Sequence, residues 1–303
     1  LARGTVRKER IFLIVSEEEQ TFYFGSLFAG IGGFDLGFER AGLRCKWQVE
    51  IDDFCRLVLT KHWPEVPKFT DARKFCRRCY DCEPENEEGN VICPRCGIEF
   101  GECECIGTDQ IIDEFGSVDV LVGGFPCQDL SNAGKRVGID GERSGLWAEM
   151  LRIAREVEPD CIVIENVGGI TSRGIQRVLS DLHESGFNAE WATLSAAAFG
   201  SAHRRSRVFI LAYPARYGLE GWITAETSSE VSVEALDNLR NWPELSSPLG
   251  IRVTNGIPRY VDRIRSLGNA VVPQIAEWIG RRVVGKLKEL RNGKTDSSMD
   301  DSP

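Results

Sequence analysis

Between Thr21 and Ala212 the chain carries six short apolar runs separated by turns and helical stretches. The runs are Thr21–Leu27, Cys45–Ile51, Val118–Val122, Cys161–Ile164, Glu190–Leu194 and Val208–Ala212. Most are continuous rather than alternating, as strands buried on both faces are. Helical periodicity appears after Gly33 through Arg40, over Leu146–Val157 and over Gly174–Ser185. This rhythm predicts an α/β fold, a parallel sheet with helices on both faces, Rossmann-like in outline. An amphipathic helix, Pro273–Leu290, is predicted near the end of the chain.

Two segments interrupt the rhythm. Residues 76–107 are rich in Cys and Glu, and residues 215–262 show weak periodicity. The expected organisation is therefore a leader over 1–20, a main domain over 21–214, and a cysteine-rich insertion at 76–107. A weakly periodic region at 215–262, a further segment at 263–290 and a polar, disordered tail at 291–303 complete it. No run of about 18 apolar residues exists, so no membrane span is expected. No secretory signal is visible, and a cytoplasmic protein is expected.

The formal net charge of −9 argues at first against a nucleic-acid partner. Its distribution weakens that objection. Residues 76–105 hold eight acids against three arginines, whereas residues 195–295 hold fifteen Lys and Arg against nine acids. A locally basic face can bind phosphates whatever the total charge.

Seven of the eleven cysteines fall between Cys76 and Cys105. Without a secretory signal, this cluster reads as a metal site and not a disulfide framework. Cys93-Pro-Arg-Cys96-Gly has the spacing of a zinc knuckle. Any two of Cys76, Cys79 and Cys82 could complete four ligands, with Cys103 or Cys105 as substitutes. The favoured set is Cys79, Cys82, Cys93 and Cys96, holding a structural zinc.

Four features carry chemistry. The turn Gly30-Ile-Gly-Gly33 joins a strand to a helix, and Glu50 closes the next strand about 20 residues later. Such an acid can accept hydrogen bonds from a ribose, which suggests an adenosine-containing cofactor. The spacing departs from the strict dinucleotide pattern, which disfavours NAD. Gly123-Gly-Phe-Pro-Cys-Gln128 follows the strand Val118–Val122, placing the Cys127 thiol at a strand end, where open α/β sheets bind ligands. Glu165-Asn-Val167 ends the strand Cys161–Ile164. His203-Arg-Arg-Ser-Arg207 leads into Val208–Ala212, and Arg205 and Arg207 share one face if extended. Taken singly, the thiol reads equally as a core residue, the acid as a cap, and the arginines as a solvated charge run.

In this order, the features resemble the DNA cytosine-C5 methyltransferases. Phe28-Ala-Gly-Ile-Gly-Gly33 looks like that family's first cofactor motif. Phe-Pro-Cys-Gln, Glu-Asn-Val and the Arg-x-Arg of 205–207 look like its catalytic motifs, and Gly268-Asn-Ala-Val-Val-Pro273 like its last. The resemblance covers residues 21–212 and 263–285. It implies S-adenosylmethionine as methyl donor and double-stranded DNA as partner. Phe28 would stack on the adenine, Glu50 and Ile51 would sit at the ribose, and Asp71 would meet the adenine amino group. Gly30, Gly32, Gly33, Asn269, Ala270 and Val271 would lie near the methionine part, with Leu146 lining the pocket. Cys127 would be the covalent nucleophile, Glu165 the proton donor at N3, and Arg207, backed by Arg205, the anchor for O2. The target base would have to leave the duplex stack. The glycine-rich stretch Gln128–Gly145 would then make a mobile loop closing over it. A monomer, with a cognate restriction enzyme in the same system, completes the expectation. The same motifs also accommodate an RNA cytosine methyltransferase or an inactive DNA-binding relative.

The sequence departs from the family in four places. His203 stands where the family has Gln. The ninth motif is not recognisable, and Ile251–Arg265 is a candidate for a diverged version. Residues 215–262, where the resemblance implies target recognition, are a short stretch, which suits a short target site. The fourth departure is the cysteine insertion. No residue in these motifs is assigned as the base that takes the C5 proton.

Overall fold

The computed structural model describes residues 20–76, 106–107, 116–126, 145–201, 204–218 and 260–297. The apolar runs form the strands β1 (Phe22–Leu27), β2 (Leu43–Val49), β6 (Val120–Gly123), β7 (Cys161–Val167), β8 (Phe187–Ser195) and β9 (Ser206–Pro214). A short β3 (Lys68–Phe69) joins them in a seven-stranded sheet of order β3-β2-β1-β6-β7-β9-β8. The chain winds outward from β1 to β3 and then returns to the other side of β1 with β6. The β1/β6 crevice is thus the point where strand order reverses, the ordinary ligand-binding position of such sheets.

The sheet is mixed, not parallel as the pattern suggested. β9 lies antiparallel to both β7 and β8. The reason is the length of the link. β8 ends at Ser195 and β9 begins at Ser206, with the 3-10 turn Ala196–Phe199 inside the link, and a parallel crossover needs about a dozen residues or more.

Helices cover both faces: α1 (Gly33–Arg40), α2 (Asp53–His62), α3 (Gly145–Val157), a short α4 (Ile170–Arg173), α5 (Ile175–Glu184), α6 (Tyr260–Asn269) and α7 (Pro273–Ser297). Alternate strand residues serve the two layers. Leu121, Ile162, Ile164 and Ile210 pack with Met150 and Ile153 of α3 and Val178 and Leu182 of α5. Val120, Val122, Val163 and Phe209 pack with Phe34 and Phe38 of α1 and Trp278 and Ile279 of α7. Burying large side chains of this kind contributes roughly 1.5–3 kcal/mol each before chain entropy is counted.

Residues 291–297, expected to belong to a polar tail, continue α7 to Ser297 instead. Arg291 ties it down, pairing with Asp119 and lying 4.4 Å above the Phe22 ring. A two-residue parallel ladder, β4 (Phe75–Cys76) with β5 (Ile106–Gly107), brings together the two ends of the cysteine-rich insertion. Among the described residues, no helix is long and apolar enough to cross a membrane.

Candidate active site

The chain leaves β1 through a strained turn. Phe28 has φ 53°, and Gly30 and Gly32 have φ 57° and 85°. A positive φ is uncommon for a bulky residue and must be held by its surroundings. Ala29 N–H donates to the Val49 carbonyl at 3.0 Å, and Gly30 N–H donates to Glu50 Oε2 at 2.7 Å. Glu50 Oε1 accepts from Asp52 N–H at 2.8 Å. Burial raises the Glu50 pKa, and those two backbone hydrogen bonds oppose the rise. Each carboxylate oxygen keeps a further lone pair.

The helix pair α1 and α7 then closes the turn from the other side. A Cβ on Gly33 would lie 2.3 Å from the Val271 carbonyl oxygen, so the glycine is what lets the returning segment approach. A side chain on Gly30 would meet nothing within 4 Å, so this part of the turn faces open space. Beside it, Phe28, Phe69 and Leu146 are half-buried against one apolar cluster that includes Val49, Phe125 and Trp147. Ile51 is exposed at 64%. Asn269 ends α6 at the surface, and Ala270 N–H returns to the Ser266 carbonyl at 2.9 Å. Asp71 is engaged with Arg73, whose Nε and Nη2 lie 3.0 and 2.7 Å from its oxygens.

The second half of the site sits at the ends of β6 and β7. Glu165 is buried, and Arg207 Nε lies 3.0 Å from its Oε1. The N–H does not aim along that oxygen, so the contact is an ion pair without a formed hydrogen bond. Burial pushes the Glu165 pKa up to about 7, with Arg207 and then Arg205 pulling against it. Arg205 Nη1 donates to the Gly268 carbonyl. Its Nε and Nη2 are buried and without a hydrogen-bond partner among the described residues. The antiparallel course of β9 makes this cluster. It pairs Val167 with Arg207, so the amino end of β9 lies at the carboxyl end of β7.

Two contributors escaped the sequence reading. A Cβ on Gly124 would lie 2.9 Å from Glu165 Oε2, so that glycine makes room for the carboxylate. Asn166 Nδ2 donates to the Phe125 carbonyl at 3.3 Å, while its Oδ1 accepts from Val167 N–H at 2.8 Å. It thereby ties the Gly-Phe-Pro stretch to the strand end bearing Glu165. Asn166 had a signal, its place beside that acid in the sequence; Gly124 had none beyond being one glycine among several. Phe69 is a third addition, an aromatic residue in a strand too short to stand out.

Cys127 lies outside the described residues, which stop at Pro126 beside it. So do His203, residues 128–144, most of the region 215–262, and Cys79, Cys82, Cys93 and Cys96. Among the described residues, no cluster of His, Cys, Asp and Glu could hold a metal.

The profile of the C-5 cytosine-specific DNA methylases matches residues 22–85 and 99–255. Type II methyltransferase M.HgiBI of Herpetosiphon aurantiacus is 32% identical over 226 residues, 73% of this chain and 44% of the relative. Type II methyltransferase M.AquIA of Picosynechococcus sp. is 31% identical over 203 residues, 61% of this chain and 69% of the relative. The chain thus spans less than half the length of the first relative it matches. Among solved structures, S. pombe Dnmt2 methyltransferase aligns with TM-score 0.46 and 18% identity, over 67% of this chain and 51% of that one. The extent of the profile match and the level of identity to M.HgiBI assign the chain: it belongs to the C-5 cytosine-specific DNA methylase family.

Proposed function

We propose that the chain transfers a methyl group from S-adenosylmethionine to C5 of a flipped-out cytosine in double-stranded DNA, through a covalent bond between Cys127 and C6. The observation that carries this reading is the buried Glu165, with a pKa near 7, paired with Arg207 and seated against Gly124, three residues before the thiol.

Cytosine C5 is a poor nucleophile. Addition of the Cys127 thiolate to C6 pushes electron density onto C5. An acid with a pKa of about 7 is suited to give a proton to N3 as the thiolate adds, and to take it back when the thiolate leaves. Arg207 would hold the O2 edge and stabilise charge developing there, with Arg205 behind it. S-adenosylmethionine, when bound, supplies an electrophilic methyl group. A base then removes the C5 proton, and the electron pair of that C–H bond expels Cys127.

The residues suit such a cofactor. Open space before Gly30 leaves room for a ligand, the spare lone pairs of Glu50 suit ribose hydroxyls, and the half-buried Phe28, Phe69 and Leu146 suit an apolar purine face. Gly32, Gly33, Asn269, Ala270 and Val271 would hold the methionine part, Asp71 the adenine amino group, and Ile51 the rim. We read residues 76–107 as a zinc ribbon on Cys79, Cys82, Cys93 and Cys96, a reading supported by the β4–β5 ladder that joins the ends of the insertion. Zinc near zero in fully active protein would sink it. The names of the relatives support a modification enzyme beside a restriction enzyme, and we read the chain as a monomer acting in the cytoplasm.

The test is incubation with 5-fluorocytosine DNA and S-adenosylmethionine. Fluorine blocks the last proton removal, so a covalent protein–DNA adduct should accumulate. Cys127→Ser should form none, and transfer RNA should not replace DNA. No adduct on any duplex, or an undiminished adduct with the serine variant, rejects the mechanism.

A further inference from the structure

The last turn of α6 touches both halves of the site. On one side, Arg265 Nη2 pairs with Asp52 Oδ2, and Ser266 Oγ lies 3.3 Å from Cys55 Sγ. On the other, the Gly268 carbonyl accepts from Arg205 Nη1, beside Glu165. The turn is therefore anchored at two points, and Arg265 reaches from it toward the glycine turn.

Asp52 links Arg265 to Glu50. Its Oδ1 accepts from Cys55 N–H at 3.0 Å and caps α2. Its own N–H donates to Glu50 Oε1 at 2.8 Å, and the other Glu50 oxygen accepts Gly30 N–H at 2.7 Å. Arg56 Nη1 donates to the Glu50 carbonyl at 2.7 Å. A line of direct contacts thus runs from Arg265 through Asp52 and Glu50 to the glycine turn. Two acids, Asp52 and Asp262, face Arg265, the second at 3.5 Å.

We propose that Arg265 is a positioning residue for cofactor binding: paired with Asp52, it fixes the backbone N–H that holds Glu50 set for a ribose. This rests on the reading of Glu50 given above. Arg265 touches no reacting atom, so its effect falls on affinity and not on the chemical step. The pair is partly exposed, 56% for Arg265 and 27% for Asp52, so the effect is modest.

The experiment is calorimetric titration of the full chain with S-adenosylmethionine, with kcat measured at saturating cofactor and DNA. Arg265→Met and Asp52→Asn, which keeps a capping oxygen, should each weaken binding about three- to fivefold. The double variant should bind no more weakly than the poorer single one, because both remove one interaction. Arg265→Lys should recover most of the loss, and kcat should change less than about twofold. Arg265→Met binding like wild type, single effects that multiply, or no rescue by lysine would each overturn the proposal. A wild-type chain that binds no S-adenosylmethionine overturns the cofactor reading itself, a result distinct from variants that merely match a binding wild type.

Discussion

Gly124→Ala tests the seating of Glu165 without altering any group that does chemistry. The added Cβ would lie 2.9 Å from Glu165 Oε2, but at 3.5 and 3.8 Å from that residue's carbonyl oxygen and Cβ. Only the first is closer than the 3.4 Å at which ordinary contact begins, so the carboxylate has to retreat by about half an ångström while the backbone stays. The φ of Gly124 is not in the left-handed region, so alanine adds no backbone strain. The stability cost is that of an off-rotamer side chain, about 0.5–1.5 kcal/mol, or a few degrees in Tm. The catalytic cost is larger. A misplacement of 1 Å can cost about 100-fold, so half of that predicts roughly tenfold in the methyl-transfer step. Single-turnover transfer of tritiated methyl groups to duplex DNA measures it, beside a thermal melt. A rate within twofold of wild type would refute the reasoning. So would a rate loss accompanied by collapse of stability, because the clash would then lie in the backbone.

The protonation state of Glu165 sets a pH dependence. As a proton donor with a pKa near 7, it should make the rate fall as pH rises through about 7. Glu165→Gln should cost about 10²–10⁴ in rate and abolish that limb, and a limb that persists in the variant removes Glu165 from the role. Asp35 is fully buried with Ser26, Gln48 and Cys45 as hydrogen-bond partners, and burial raises its pKa to about 6 from 3.8. The folded state then holds its proton more tightly than the unfolded one, so stability falls as pH rises from 3.8 through 6. Asp35→Asn should therefore be more stable than wild type at pH 8, by up to about 3 kcal/mol, with the difference vanishing near pH 4. Urea unfolding at the two pH values checks this, and equal gains at both would contradict it. Arg291→Ala should cost about 1 kcal/mol in the same assay by freeing the end of α7 from Asp119 and Phe22, whereas no change would show that the end of α7 adds nothing to stability.

Much of the fold was legible because its strands are buried on both faces. Cys161–Ile164 and Val118–Val122 read as strands from composition alone, and the apolar stripe of Leu146–Val157 read as a helix. Asp35 shows the opposite case. A carboxylate within Gly33-Phe-Asp-Leu-Gly37 looks like the wet side of a helix, and only packing against Ser26 and Gln48 makes it a buried group. Phe28 shows it again, because nothing in a phenylalanine announces a left-handed backbone; the bonds of its neighbours Ala29 and Gly30 to Val49 and Glu50 impose it. Glu165 was legible as a chemical type and a strand end, but its raised pKa comes from burial, which only the packing of the folded chain decides.

The order of residue types, Phe28, Glu50, Glu165 and the pair Arg205 and Arg207, was written in the sequence, as was the alternation of strand and helix that spaces them. The direction of β9 was not. In an all-parallel sheet, residues that lead into a strand lie at the edge opposite those that end one. Arg205 and Arg207 would then stand a strand's length from Glu165. The short link after β8 forbids a crossover, so β9 turns back and hydrogen-bonds antiparallel between β7 and β8. That reversal, decided by tertiary pairing, brings Arg207 within 3.0 Å of Glu165.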